Sequence, residues 1–178
     1  MEIVTEQIIP ALNTVGEGFE RKTVYLPQLL MSAEAAKSAF EQIKLSMSGT
    51  GTATKCTVVI ATVKGDIHDI GKNIVKLLLE NYGFTVVDLG RDVTPEEIVH
   101  ETVRLHAPIV ALSALMTTTV PSMQETISLL RKSAPFCKVI VGGAVLTYEY
   151  AKSIGADQYA KDAMGAVRYA EKINNELS

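Results

Sequence analysis

The chain has 178 residues, 47% hydrophobic and 21% charged, with a formal net charge of -3 at pH 7. That length suits one ordinary domain with a small appendage, and the faintly acidic balance excludes a nucleic-acid binder, which would carry a basic face. The opening MEIVTEQIIPALN has neither the basic start nor the apolar core of a signal peptide, and no run of about 18 apolar residues offers a membrane span, so the chain reads as cytoplasmic with no membrane partner.

From Glu2 to about Asn13, Ile3, Val4, Ile8, Ile9 and Leu12 fall mostly on one helical face, with Pro10 placed to kink or restart the helix. Gly16 and Gly18 read as a break before Phe19. Leu26-Pro27 then opens a second helix with Leu29, Leu30, Ala33, Ala36, Phe40 and Ile43 as its apolar side. Two helices alone make a poor core, so residues 1–45 are expected as an incomplete helical cap that packs on the rest of the chain, on missing helices or on a second copy. Residues 46–55 (SMSGTGTATK) have the small, polar composition of a connector.

Residues 56–178 alternate strand and helix. Strands are expected near 57–63 and at Phe84–Asp88, Ile109–Leu112, Lys138–Val141 and Gln158–Tyr159. Helices are expected near 71–82, at Pro95–Leu105 and Val120–Lys132, near 147–153 and from Asp162. In the helix near 71–82, Ile70, Ile74, Leu77 and Leu78 form the apolar face, with Lys72, Asn73 and Lys76 opposite. Thr94 suits an N-cap, followed by Pro95 in the first turn. The pattern predicts an α/β domain, a doubly wound five-stranded parallel sheet in flavodoxin-like order with helices on both faces. Cys56 and Cys137 sit in or beside strand-like runs and are expected as reduced core thiols.

Four strand ends of such a sheet meet on one edge. The first is followed by Gly65-Asp66-Ile67-His68-Asp69-Ile70-Gly71, and the second ends in Asp88-Leu89-Gly90-Arg91-Asp92. The third gives Ser113-Ala114-Leu115-Met116-Thr117-Thr118-Thr119, and the fourth Val141-Gly142-Gly143-Ala144. Glycines admit a large ligand close to the backbone, and hydroxyls bind it without charge. A P-loop is excluded, because five residues separate Gly65 from Gly71 and Asn73 stands where Ser or Thr would hold magnesium. A phosphorelay receiver would need an aspartate where Ser113 stands.

Asp66-x-His68-x-x-Gly71, with the loops at Asp88, Ser113 and Gly142 and the cap stretches Val15 to Phe19 and Tyr25 to Leu29, resembles the cobalamin-binding module of methionine synthase and related corrinoid methyl carriers. The resemblance implies cobalamin, in its methylcobalamin form, with His68 replacing the cofactor's own base as lower ligand to cobalt. Asp66 would hold the other ring nitrogen and Ser113 would extend that relay. Gly65, Ile67, Asp69, Ile70, Gly71 and Leu115 would line the cofactor. The displaced nucleotide tail would lie against Ser113, Thr117 and Thr119, in space left by Gly142 and Gly143. Phe19, Leu26 and Leu29 would cover the methyl-bearing face.

Plainer readings stand beside these. Asp69 suits a helix cap, Thr117 to Thr119 can cap the helix at Val120, and the three cap residues can be core. By the same resemblance the chain would carry a methyl group on cobalt between methyl-donor and methyl-acceptor domains or subunits, methyltetrahydrofolate to homocysteine in the methionine synthase type, with a reductive reactivation partner. Methylamine, methanol or methoxyaromatic systems share every cofactor residue, and adenosyl or light-sensing modules share the fold. About half of a four-helix cap is missing before Met1, which suggests a fragment or a homodimer.

Overall fold

Three strands are written as near-continuous apolar runs, and the structure buries them on both faces, as a parallel sheet requires. The computed structural model describes residues 7–46 and 55–177. β1 (Lys55–Thr62), β2 (Phe84–Asp88), β3 (Ile109–Ser113), β4 (Lys138–Gly142) and β5 (Gln158–Tyr159) form one parallel sheet in the order β2-β1-β3-β4-β5. This is the flavodoxin-like order expected.

Residues alternate between the two sheet faces. On one face Val59, Ala61, Val110, Leu112 and Val139 meet Ile98 of α4 (Pro95–Arg104) and Met123, Ile127 and Leu130 of α5 (Val120–Ser133). On the other, Val58, Ile60, Ile109, Ala111 and Ile140 meet Leu78 and Leu79 of α3 (Ile70–Asn81) and Met164, Val167 and Ala170 of α7 (Ala163–Leu177). A short α6 (Tyr148–Ser153) precedes β5. β1 and β3 are neighbours, yet α3 leaves β1 towards one face and α5 leaves β3 towards the other. Their diverging loops open the crevice where ligands bind such sheets.

α1 (Ile9–Glu20) and α2 (Leu26–Ser46) pack on the α3/α7 face, where Leu12, Leu29, Ala33 and Ala36 are buried. Pro10 lies in the first turn of α1, directly after the helical Gln7 and Ile8, the place of a restart. Gly16 and Gly18 do not break it, since α1 runs on to Glu20. A Cβ at Gly16 would meet Met164 Cε at 2.8 Å, and one at Gly18 would meet Val24 Cγ2 at 2.7 Å. The glycines therefore serve close packing. Ile3, Val4, the side chains of Ile9, Phe40 and Ile43, and residues 47–54 of the connector lie outside the described residues.

α3 departs from its sequence pattern at both faces. Lys72 is 3% exposed, with Nζ 2.6 Å from Asp88 Oδ1 and 2.8 Å from Asn73 Oδ1, while Lys76 Nζ lies 3.2 Å from Asp88 Oδ2. A carboxylate at the end of β2 makes the burial of that ammonium tolerable. Ile70 goes the other way and is 77% exposed. Thr94 caps α4, its hydroxyl accepting from Glu97 N–H at 3.3 Å. Both cysteines are free thiols, and burial pushes that of Cys137 up to about 11. No helix among the described residues is long and apolar enough to cross a membrane.

Candidate cofactor site

The loop after β1 is pinned before it reaches His68. Gly65 turns the chain with a φ of 85°, a value that favours glycine, and its N–H donates to Asp92 Oδ1 at 2.7 Å. Asp92 N–H in turn donates to Asp66 O at 3.0 Å, and Val63 bridges to Val93. Asp66, wholly buried, thus enters the crevice in a fixed direction.

Its carboxylate collects donors from both diverging loops. Oδ1 accepts from His68 N–H at 3.0 Å and lies 2.8 Å from His68 Nδ1. Oδ2 accepts from Leu115 N–H at 2.7 Å, from Met116 N–H at 3.3 Å and from Thr119 Oγ1 at 2.9 Å. The Thr119 proton is shared, since Met116 O lies 2.8 Å from the same hydroxyl. Burial by itself raises the pKa of Asp66, but the backbone donors of His68 and Leu115, then the His68 ring and Thr119, outweigh it and hold the acid far below the ordinary carboxylate range. An ionised carboxylate only accepts, so Nδ1 carries the ring proton. Nε2 of the neutral ring is left with its lone pair and has no protein partner among the described residues.

The imidazole, 48% exposed, stands at the mouth of a cavity of about 620 Å³, within the range of small-molecule sites. Phe19, Leu26, Ile67, His68, Asp69, Ile70, Gly71, Ser113, Leu115, Gly142 and Gly143 line it, as the sequence suggests. Ile67 and Ile70, 62% and 77% exposed, flank the ring with Leu115 and form an apolar rim that the protein itself leaves uncovered. Gly71 marks the same opening, because a Cβ there would meet nothing within 4 Å.

Five expectations change. Ser113 lines the cavity but makes no hydrogen bond to Asp66; the hydroxyl that does is Thr119, which α5 carries back over the carboxylate. Thr119 is consequently 4% exposed and away from the cavity wall, and Thr117 is exposed and equally absent from it. Leu29 is 1% exposed and faces the core, because its helical position points at α3 and α7 rather than at the opening. Asp69 occupies the N-cap position of α3 without a capping hydrogen bond. Gly143, which lines the cavity, is also required by the backbone: its φ is 139°, and a Cβ would fall 1.7 Å from Ala114 O.

Sequence reasoning missed the cavity's interior. Ile60, Ala111 and Ile140 form its floor, while Ala160, Ala163 and Ala166 form a wall at the start of α7. Alanines on a helix carry little signal of their own, and only the sheet order brings these to the slot. His100 and His106 do not line it.

The residues fit a corrinoid: a metal-competent imidazole with its tautomer fixed, an apolar rim for a macrocycle, and a slot beneath it for a tail. A B12 binding domain profile matches residues 56–168, and a second B12 binding domain profile matches residues 1–44. The chain belongs to the B12 binding domain family. It is 39% identical over 175 residues to a dimethylamine corrinoid protein of Methanosarcina acetivorans, covering 97% of this chain and 82% of that one. A trimethylamine corrinoid protein of Methanosarcina mazei is 40% identical over 171 residues, covering 94% and 79%. Among solved structures, the methanol:cobalamin methyltransferase complex of Methanosarcina barkeri superposes with a TM-score of 0.83 at 30% identity, covering 98% of this chain and 67% of that one. Relatives of this B12 binding chain are corrinoid proteins of amine and methanol systems, which favours the second functional reading over the methionine synthase type.

Proposed function

We propose that the protein is the corrinoid methyl carrier of a methylamine methyltransferase system, with His68 as lower ligand to the cobalt of cobalamin. The observation that carries this is the imidazole itself: Nδ1 rests on a buried carboxylate, and Nε2 is unpartnered at the mouth of an apolar cavity. When bound, the cofactor supplies a cobalt centre that accepts a methyl group from one substrate and yields it to another.

The chain's own residues do the rest. Asp66 keeps the proton on Nδ1 and raises the basicity of Nε2. Ile67, Ile70 and Leu115, at the cavity rim, would meet the macrocycle, and the slot over Ile60, Ala111 and Ile140 would receive the tail. Phe19 and Leu26, which line the cavity from the cap, would cover the methyl-bearing face and exclude water there. Methylation and demethylation would then occur at partner methyltransferase subunits, and a reducing partner would restore oxidised cobalt. Amine chemistry is preferred because corrinoid proteins of dimethylamine and trimethylamine systems are 39% and 40% identical to this chain over nearly its whole length.

Titration with methylcobalamin tests the first half. A base-off, histidine-on spectrum at one equivalent supports the proposal, and no uptake at micromolar concentrations refutes it. Reconstitution with purified amine, methanol and homocysteine methyltransferases tests the second half, which stands if the amine enzyme turns over and fails if only the methanol or the homocysteine enzyme does.

A further inference from the structure

One polar side chain on the cavity face of the sheet has no use in the fold. Thr62 ends β1 completely buried, and its Oγ1 has no hydrogen-bond partner among the described residues. Strand alternation puts it on the same face as Val58 and Ile60, the face of the cavity. Register makes its surroundings explicit. Ile60, Ala111 and Ile140 pair across β1, β3 and β4 as the apolar floor, and the next row towards the crevice is Thr62, Ser113 and Gly142. Thr62 and Ser113 are therefore direct neighbours on adjacent strands, about 4.8 Å apart in the backbone. Ser113 is half-buried and lines the cavity, and no hydrogen bond of its hydroxyl occurs among the described residues.

Two adjacent unpaired hydroxyls, one sealed and one facing the slot, make a chain that lacks only its outer end. We infer that Thr62 is a positioning residue for the cofactor's nucleotide tail, acting through Ser113; this rests on the corrinoid reading above. Once His68 takes the cobalt, the base of the tail has a ring nitrogen with a free lone pair. Ser113 O–H would donate to that nitrogen, which commits its proton outwards and turns an Oγ lone pair to accept from Thr62 O–H, so the buried hydroxyl would gain its partner when the tail is in place. Gly142, the third member of the row, leaves the base room. Ligand-free, the pair is a defect of the fold.

The test compares wild type with Thr62→Val and Thr62→Ser, using methylcobalamin and cobinamide, the same corrin without its nucleotide. Thr62→Val should raise the melting temperature of the ligand-free protein by about 2–4 °C, since it removes an unpaired buried hydroxyl. It should weaken methylcobalamin about tenfold, the worth of one hydrogen bond, and leave cobinamide unchanged. Thr62→Ser should restore methylcobalamin affinity. Unchanged methylcobalamin affinity in Thr62→Val, an equal loss with cobinamide, or a lowered melting temperature overturns the role of Thr62 while the corrinoid reading stands. A wild-type protein that takes up neither corrinoid overturns both.

Discussion

Replacing Asp66 by asparagine changes one oxygen to an amide and exposes how much rests on that carboxylate. The amide oxygen can serve one side of the crevice only. If it faces Leu115 and Met116, the NH2 group faces His68 N–H and the ring; Nδ1 must then turn acceptor, and the ring proton moves to Nε2, the atom assigned to cobalt. If it faces His68, the NH2 group opposes two backbone N–H donors. Either way about two charge-assisted hydrogen bonds are lost or mispaired, at about 1.5–3 kcal/mol each. The expected loss of stability is about 3–6 kcal/mol, which for a chain of this size lowers the melting temperature by roughly 10 °C or more. The sign with pH follows from the depressed pKa. Ionised Asp66 contributes fully above the unfolded value of about 4, and the contribution fades as pH falls towards the folded one. The difference between wild type and variant should therefore be flat from about pH 5 to 8 and shrink below about pH 4. Calorimetry across pH measures this, and the methylcobalamin spectrum reports the fraction with histidine on cobalt, which should fall. A variant that melts within about 2 °C of wild type and keeps its full histidine-on spectrum refutes both the network and the tautomer argument.

His68→Ala should cost the fold only about 1 kcal/mol, because the ring is half exposed and bonded to Asp66 alone; methylcobalamin should still bind through its tail but show no histidine ligation in its spectrum. Gly71→Ala should stabilise the ligand-free protein by about 0.5–1 kcal/mol, since no protein atom contests the new methyl. The same variant should bind methylcobalamin more weakly, and a calorimetric gain without a binding loss would show that the opening at Gly71 does not face the ligand. Gly143→Ala puts a carbon 1.7 Å from Ala114 O and should yield little soluble protein, read as expression and denaturant midpoint; a midpoint near that of wild type would contradict the close approach of the β3 and β4 loops.

The sheet and its crevice were legible because buried parallel strands are spelled as apolar runs and the loops between them carry glycines and hydroxyls at fixed places. Pairings across the crevice were not. Ser113 and Thr119 sit on one loop with the same functional group, and only the direction in which α5 leaves β3 decides that Thr119 meets Asp66. Lys72 looked like surface because amphipathic patterns assign lysines to water; its partner at the end of β2 is sixteen residues on and declares itself only when β1 and β2 pair. Leu26 and Leu29 share a helical face in sequence, yet Leu29 packs into the core with α3 and α7 while Leu26, one turn earlier at the start of α2, is left at the cavity. Gly16 and Gly18 carry an ambiguity that local sequence cannot resolve, since a glycine that ends a helix and one that lets another helix approach look alike.

The cavity's walls are drawn from Phe19 to Ala166, and its floor needs β1, β3 and β4 together. No partly folded chain possesses it, so a ligand of this slot binds the native state alone and its binding energy becomes folding energy. At a hundredfold excess over Kd that adds about 2.7 kcal/mol to a domain whose own margin is about 5–15 kcal/mol. Supply of the ligand would then set the protein's lifetime against proteolysis, and a cell short of it would lose the protein as well as the complex.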